Sequence, residues 1–295
     1  MSANGGPPAD PSVLAGLLAI LLAAAVALLA AGYGRGVHEL WARRGAGGVL
    51  PGWRVAAFAG GLVIALAVQN GPAAGFAERS FTGHMTQHMV LMLVAGPLLA
   101  AGGAGLPLTL ACPVPLRRRL ARLRTSPPAR WLRRPTIAAF VAGGGQTLVL
   151  WFWHLPGPYL AALEQPALHA LEHACFLGAA WLLWAPVLGV ARHRLPTPAA
   201  MLLLVGTMLP ASALGAVLTF APQPVYPLRV LGPDPLADQQ LAGLLMWAPM
   251  DVAVLIATLA VFLRWLLKLQ GQRPDRVTSP EPGGMVPVAR TEGVG

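Results

Sequence analysis

The sequence predicts an all-α polytopic protein, a transmembrane helical bundle of about seven spans with its N-terminus outside and its C-terminus cytoplasmic. Three observations carry that reading. Of 295 residues, 56% are hydrophobic and only 11% charged, too little charge to cover a soluble surface. The apolar residues fall into stretches of roughly 20, the length that crosses a bilayer. The net charge of +10 is almost all arginine, with Lys268 the one lysine. These charges lie between the apolar stretches, where a lipid surface accounts for them and nucleic acid is not needed.

The first span, 12–33, is almost pure Ala, Leu, Ile and Val. Asp10 precedes it and Arg35, Arg43 and Arg44 follow it, the polarity of a retained span rather than of a secretory signal. The next spans are 53–70, 83–104, 135–154, 167–190, 198–220 and 240–264. Pro97, Gly143 to Gly145, Pro210 and Pro249 interrupt several of them. Such breakers are tolerated in lipid because neighbouring helices satisfy the freed backbone groups. No internal repeat stands out, which weighs against a transporter built from paired halves. Residues 1–11 and 269–295, rich in Gly, Pro and polar groups, read as disordered segments flanking a membrane domain at 12–268.

Orientation follows from the basic residues. With the N-terminus outside, the inner segments 34–54, 113–134, 191–197 and 264–295 hold all of the 21 Lys and Arg except Arg79 and Arg229. That is a strong positive-inside bias. The loop from Pro115 to Arg124 spaces leucines among arginines. It reads equally as a short interfacial helix on anionic lipid and as a topology determinant.

On this map five of the seven histidines fall at the outer ends of spans. His84 and His88 open the third, His154 ends the fourth, and His169 and His173 open the fifth. His38 and His193 sit in inner segments beside arginines and read as interfacial. Four residues on an α-helix return to nearly the same face, so each outer pair can present two imidazoles to one ion. Met85, Met89 and Met92 follow on the third span. Thioether with imidazole is a soft-to-borderline donor set that suits copper, Cu(I) above all, and suits Mg or Ca poorly. A lone histidine at a span end is ordinarily a hydrogen-bonding group, and methionine in an apolar helix is ordinarily filler. Two i,i+4 pairs and a fifth histidine at one bundle end move the balance towards a metal or haem role.

Polar companions gather at the same level. Glu172 lies between His169 and His173, where a carboxylate can orient an imidazole. Asp238, Gln239 and Gln240 stand at the mouth of the seventh span, and Asp238 reads equally as a helix N-cap. Asp251 falls halfway through that span, where an ionised acid is expensive, so it reads as protonated, paired or beside water, with Gln146 on the fourth span a candidate partner. Cys112 and Cys175 lie at opposite ends of their spans, which argues against a disulfide, and their spacing fits no CxxC site. No P-loop, dinucleotide fingerprint or nucleophile elbow is present, so nothing supports a hydrolase, a nucleotide site or nucleic-acid binding.

Three blocks carry a resemblance: Ser80 to Val94 around the first histidine pair; Trp153 to Pro156 with Leu168 to His173; and Leu236 to Pro249. In these the chain resembles the multispanning CtaG family of cytochrome c oxidase assembly factors. The resemblance implies a non-catalytic, seven-span protein of the bacterial plasma membrane that aids copper insertion into a haem–copper oxidase. Oxidase subunits are its implied partners, and ligands near the outer surface suit receipt of copper from an extracytoplasmic carrier. His84, His88, His154, His169, His173, Asp238 and Gln239 match the family pattern; Met250 and Asp251 depart from it. Met85 and Met89 complete the expected ligand set, with Glu172 supporting it. Two rivals remain open at this stage, a bis-histidine haem protein and a copper transporter.

Overall fold

The computed structural model describes residues 11–132, 134–190, 194–227 and 232–271. Thirteen α-helices and one π-helical turn occur among them. In chain order they are α1 (Pro11–Arg44), α2 (Gly52–Val68), α3 (Gly71–Ala77), α4 (Phe81–Val90), the π turn (Leu91–Ala95), α5 (Gly96–Ala101) and α6 (Gly105–Ala111). There follow α7 (Val114–Thr125), α8 (Pro127–Leu132), α9 (Pro135–Trp153), α10 (Pro156–Glu164), α11 (Pro166–Leu188), α12 (Thr197–Phe220) and α13 (Pro235–Gly271). No strand occurs among the described residues, so the all-α bundle read from the sequence holds.

Among the described residues, five helices are long and apolar enough to cross a membrane: the continuous run Phe81–Ala101, α9, α11, α12 and α13. Helices α2 and α3, bent by 53° at their junction, make a sixth if taken as one span. Helix α1 holds the first apolar run of the sequence. The count of seven and the sidedness of the termini stand as expectations from the sequence.

Several boundaries differ from the sequence reading, each for a local reason. Helix α1 runs on through Arg44, so His38 lies on an exposed helix face rather than in a loop. The last helix begins at Pro235, five residues earlier than expected, because Pro235 is well suited to a first helical turn. Asp238, Gln239 and Gln240 are therefore already helical. The connections at the histidine end contain two short helices, α3 and α10, each with a proline in its first turn. The expected terminal segments lie outside the described residues, apart from Pro11 and residues 269–271, which are helical; His193 and Arg229 lie outside them too. The loop at 115–124 is helical as α7, with no buried residue.

The third span is interrupted by the π turn, which the sequence reading missed. Pro97 has no N–H with which to continue the α-helical ladder. The N–H of Gly96 instead reaches the carbonyl of Leu91, five residues back. This span is central to the bundle, and close packing holds it there. A Cβ on Gly96 would lie 2.6 Å from that of Ala180, so only glycine allows α5 to approach α11 this closely.

The two ends of the bundle differ in chemistry. At one end the Arg54 guanidinium donates to Ala101 O at 2.5 Å and to Gly189 O at 3.4 Å, tying α2 to the last turns of α5 and α11. Arg117 and Arg124 lie towards the same end: Arg117 donates to Cys112 O at 2.7 Å and Arg124 to Thr109 Oγ1 at 3.2 Å. At the other end Gln87 donates to Val68 O at 2.7 Å, joining α4 to the close of α2. Both cysteines are free.

Candidate metal centre

All five outer histidines meet at the end of the bundle opposite the arginines. Helix α4 supplies His84 and His88, α11 supplies His169 and His173, and His154 caps the C-terminus of α9. The imidazole centroids of His84 and His88 are 4.4 Å apart and those of His169 and His173 are 4.3 Å apart, as i,i+4 spacing dictates. Across the helices, His84 stacks on His169 at 5.3 Å and His88 meets His173 at 5.2 Å. His154 stands 6.2 Å from His88.

Glu172 sits inside this group. The carboxylate places Oε2 at 3.8 Å from His84 Nε2 and Oε1 at 3.7 Å from His88 Nε2. Both distances are too long for hydrogen bonds, and neither oxygen has any other partner among the described residues. The Nε2 atoms of His84, His169 and His173 and both ring nitrogens of His88 are likewise buried and without a partner among those residues. Donor atoms of His84, His169, Glu172 and His173 all fall within 4.8 Å of one another, three nitrogens and one carboxylate oxygen. A buried polar atom left unpaired costs roughly 1–3 kcal/mol, so so many side by side call for a shared partner. Their spacing and chemistry fit a borderline cation.

The supports of this group show how the fold aims it. Gln69, at the close of α2, puts Oε1 3.1 Å from His173 Nδ1 and donates its own Nε2 to Ala65 O at 2.7 Å. With the His173 Nδ1 proton given to Gln69, Nε2 is left as a lone-pair donor. Ser80 caps α4 by accepting from Gly83 N at 3.0 Å. Asp238 completes that cap from α13, accepting from Phe81 N at 2.8 Å and from Thr82 N at 3.1 Å; it also accepts from Gly232 N at 2.8 Å. Asp238 thus caps the histidine helix as well as standing in the first turn of its own. Gln239, fully buried, accepts from Val225 N at 2.6 Å and donates to Leu218 O at 3.4 Å. Both residues hold the framework and stay outside the histidine cluster.

The methionines divide. Met85, fully buried, places Sδ 3.2 Å from His154 Nε2, whereas Met89 packs in the hydrophobic core. Met92 accepts from Gln146 Nε2 at 3.3 Å. Gln146 is therefore not the partner of Asp251; that role falls to Ser212, whose hydroxyl donates to Asp251 Oδ1 at 2.6 Å, because α12 and not α9 packs along α13.

Sequence reasoning did not single out Gln69, Glu78, Tyr159 or Tyr226. Tyr226 donates its hydroxyl to His154 O at 2.7 Å, and its ring lies 4.9 Å from that of Tyr159. Burial pushes both phenols well above their usual titration range, so they stay protonated. Tyr159 presents its ring edge-on to His84 at 5.4 Å. These residues come from connecting segments, where no apolar period marks them. A cavity of about 630 Å³ opens onto the cluster, lined by His84, His169 and His173 with Gln69, Glu78 and Tyr159.

Residues 31–268 match the family model described as cytochrome c oxidase caa3 assembly factor, so the match spans the bundle and every histidine of the cluster. No curated protein and no solved structure matches the chain.

Proposed function

The chain belongs to the cytochrome c oxidase caa3 assembly factors, and from that premise we propose that it hands copper to a haem–copper oxidase from the histidine end of its bundle. The observation that carries the proposal is the buried donor set of His84, His169, Glu172 and His173, with its unpartnered nitrogens and oxygens within one ion's reach. A cation held there satisfies groups that are otherwise costly to bury. Copper is cargo in this reading and the role is non-catalytic. An extracytoplasmic carrier delivers the ion through the cavity beside His169, and an oxidase subunit in the same bacterial plasma membrane receives it.

Two alternatives are less well supported. A bis-histidine haem needs a flat slot between its axial imidazoles. Here His169 stacks on His84 and His88 abuts His173, a packing that suits small ions better than a macrocycle. A copper transporter needs polar groups along the whole bundle. Below the cluster, Gln146 is engaged with Met92 and Asp251 with Ser212.

The test is the copper content of the oxidase purified from cells whose assembly factor carries His84→Ala and His88→Ala. Oxidase depleted of copper, with normal amounts of the variant in the membrane, is the expected result. Oxidase with its full copper complement would sink the proposal. A Soret band in the purified assembly factor would favour the haem reading instead.

A further inference from the structure

The histidine cluster contains two chemically different halves, and the second is set by the pair His154 and Met85. His154 Nδ1 lies 2.6 Å from the carbonyl of Leu150. A carbonyl only accepts, so Nδ1 carries the ring proton and Nε2 presents a lone pair. That lone pair faces Met85 Sδ at 3.2 Å. The thioether has no proton to offer, so two electron-pair donors confront one another in a fully buried setting. A proton on Nε2 would make His154 a buried imidazolium donating to a weak acceptor, which is a poor exchange. A soft cation resolves the contact by accepting from both. His88 completes the set: it is fully buried, both its nitrogens are unpartnered, and its ring stands 6.2 Å from His154. Phe176 covers both rings, at 4.4 Å from His88 and 5.8 Å from His154, and shields this half from water.

Resting on the reading of the cluster as a metal-handling site, we infer that it holds two ions of different class rather than one. The outer position, His84, His169, Glu172 and His173 on the cavity, offers three nitrogens and a carboxylate to a borderline divalent ion. The inner position, His88, His154 and Met85, offers two nitrogens and a thioether to a soft monovalent d¹⁰ ion. Glu172 joins them, with one oxygen towards His84 and the other towards His88. Separate positions give the protein a point of entry that differs from its point of release.

The experiment uses the purified full chain in detergent with two redox-inert probes. Ag(I) reports the soft position by competition with a chelator, and Co(II) reports the outer position by its visible ligand-field bands. Wild-type protein is expected to bind one Ag(I) and one Co(II) at the same time. Met85→Leu conserves volume; it should weaken Ag(I) by about tenfold or more while leaving the Co(II) spectrum intact. Met85→Cys should restore Ag(I) binding, and His169→Ala should do the reverse of Met85→Leu, losing Co(II) and keeping Ag(I). Displacement of Co(II) by one equivalent of Ag(I), or Ag(I) affinity indifferent to Met85→Leu, overturns the two-position inference while leaving a single metal site standing. Binding of neither ion overturns the inference and the metal-handling reading together.

Discussion

The Asp238 carboxylate accepts the backbone N–H of Phe81 at 2.8 Å, so the last helix of the bundle caps the helix that carries His84 and His88. The same carboxylate takes Thr82 N, and the Thr82 hydroxyl returns a bond to Asp238 O at 2.9 Å. Removing the carboxylate strips a cap from α4 and releases Gly232 as well. Asp238→Ala is therefore expected to destabilise the protein by about 1–2 kcal/mol. It should also weaken metal binding without touching a ligand, because α4 loses its fixed first turn. Asp238→Asn, which keeps an acceptor oxygen, should retain most of both properties. Thermal unfolding and chelator competition on the two variants check this; equal losses in both would show that charge, and not capping, is what α4 requires.

Glu172 gives a prediction of opposite sign for stability and binding. Its two oxygens are buried with no partner among the described residues, beside His84 Nε2 and His88 Nε2, which have none there either. Glu172→Gln keeps the shape, removes an acid that is costly to bury and adds donors that nearby ring nitrogens can accept. The metal-free variant should unfold at a higher temperature than metal-free wild type. Its affinity for a divalent ion should fall by about tenfold or more, so added metal should raise its melting temperature less. A variant that is less stable without metal would mean that Glu172 serves the fold and not an ion.

Comparing these two acids shows what the sequence could and could not reveal. The i,i+4 spacing of both histidine pairs is local, and the arginine map assigned all five outer histidines to one end, so their meeting was legible. Helix order around the bundle was not, and it decides which side chains touch. Glu172 read as an accessory to its neighbours His169 and His173, yet the packing of α11 beside α4 turns it towards His84 and His88. Asp238 read as a cap for its own helix, but Asp234 takes that place by accepting from Ala237 N at 3.2 Å, and Asp238 instead caps a helix 156 residues away in sequence. Gln69 and Tyr226 sit where helices end, and only the tertiary fold sets them against His173 and His154.

Alkaline stability should depend on the buried phenols. Tyr159 and Tyr226 both have their titration raised by burial, so the folded state disfavours the phenolate relative to the unfolded chain. A raised acid contributes stability that is intact below the unfolded tyrosine value, about 10, and is lost as pH rises beyond it. The melting temperature should hold steady to about pH 9.5 and fall above it. Tyr226→Phe should flatten part of that fall and lower stability at neutral pH by about 1 kcal/mol, the bond to His154 O being lost. An identical alkaline slope in wild type and variant would show that other groups govern the transition.

Asp251 separates a delivery role from a transport role. It lies well inside α13, and the Ser212 hydroxyl donates to its Oδ1 at 2.6 Å across the α12–α13 contact. A serine hydroxyl can donate to a neutral acid, an ionised acid or an amide, so the geometry does not require a charge at this position. A transported cation crossing the bundle would require one, since a mid-membrane carboxylate is the group that compensates its charge. Asp251→Asn should therefore leave oxidase copper content within about twofold of wild type, and stability within about 0.5 kcal/mol. Asp251→Leu should destabilise the protein more, because the bond that ties α12 to α13 is lost and the Ser212 hydroxyl falls back on Met208 O, 2.9 Å away in its own helix. Copper-depleted oxidase in the Asp251→Asn strain, with normal amounts of a stable variant, would move the mechanism from handover at the histidine end to passage through the bundle.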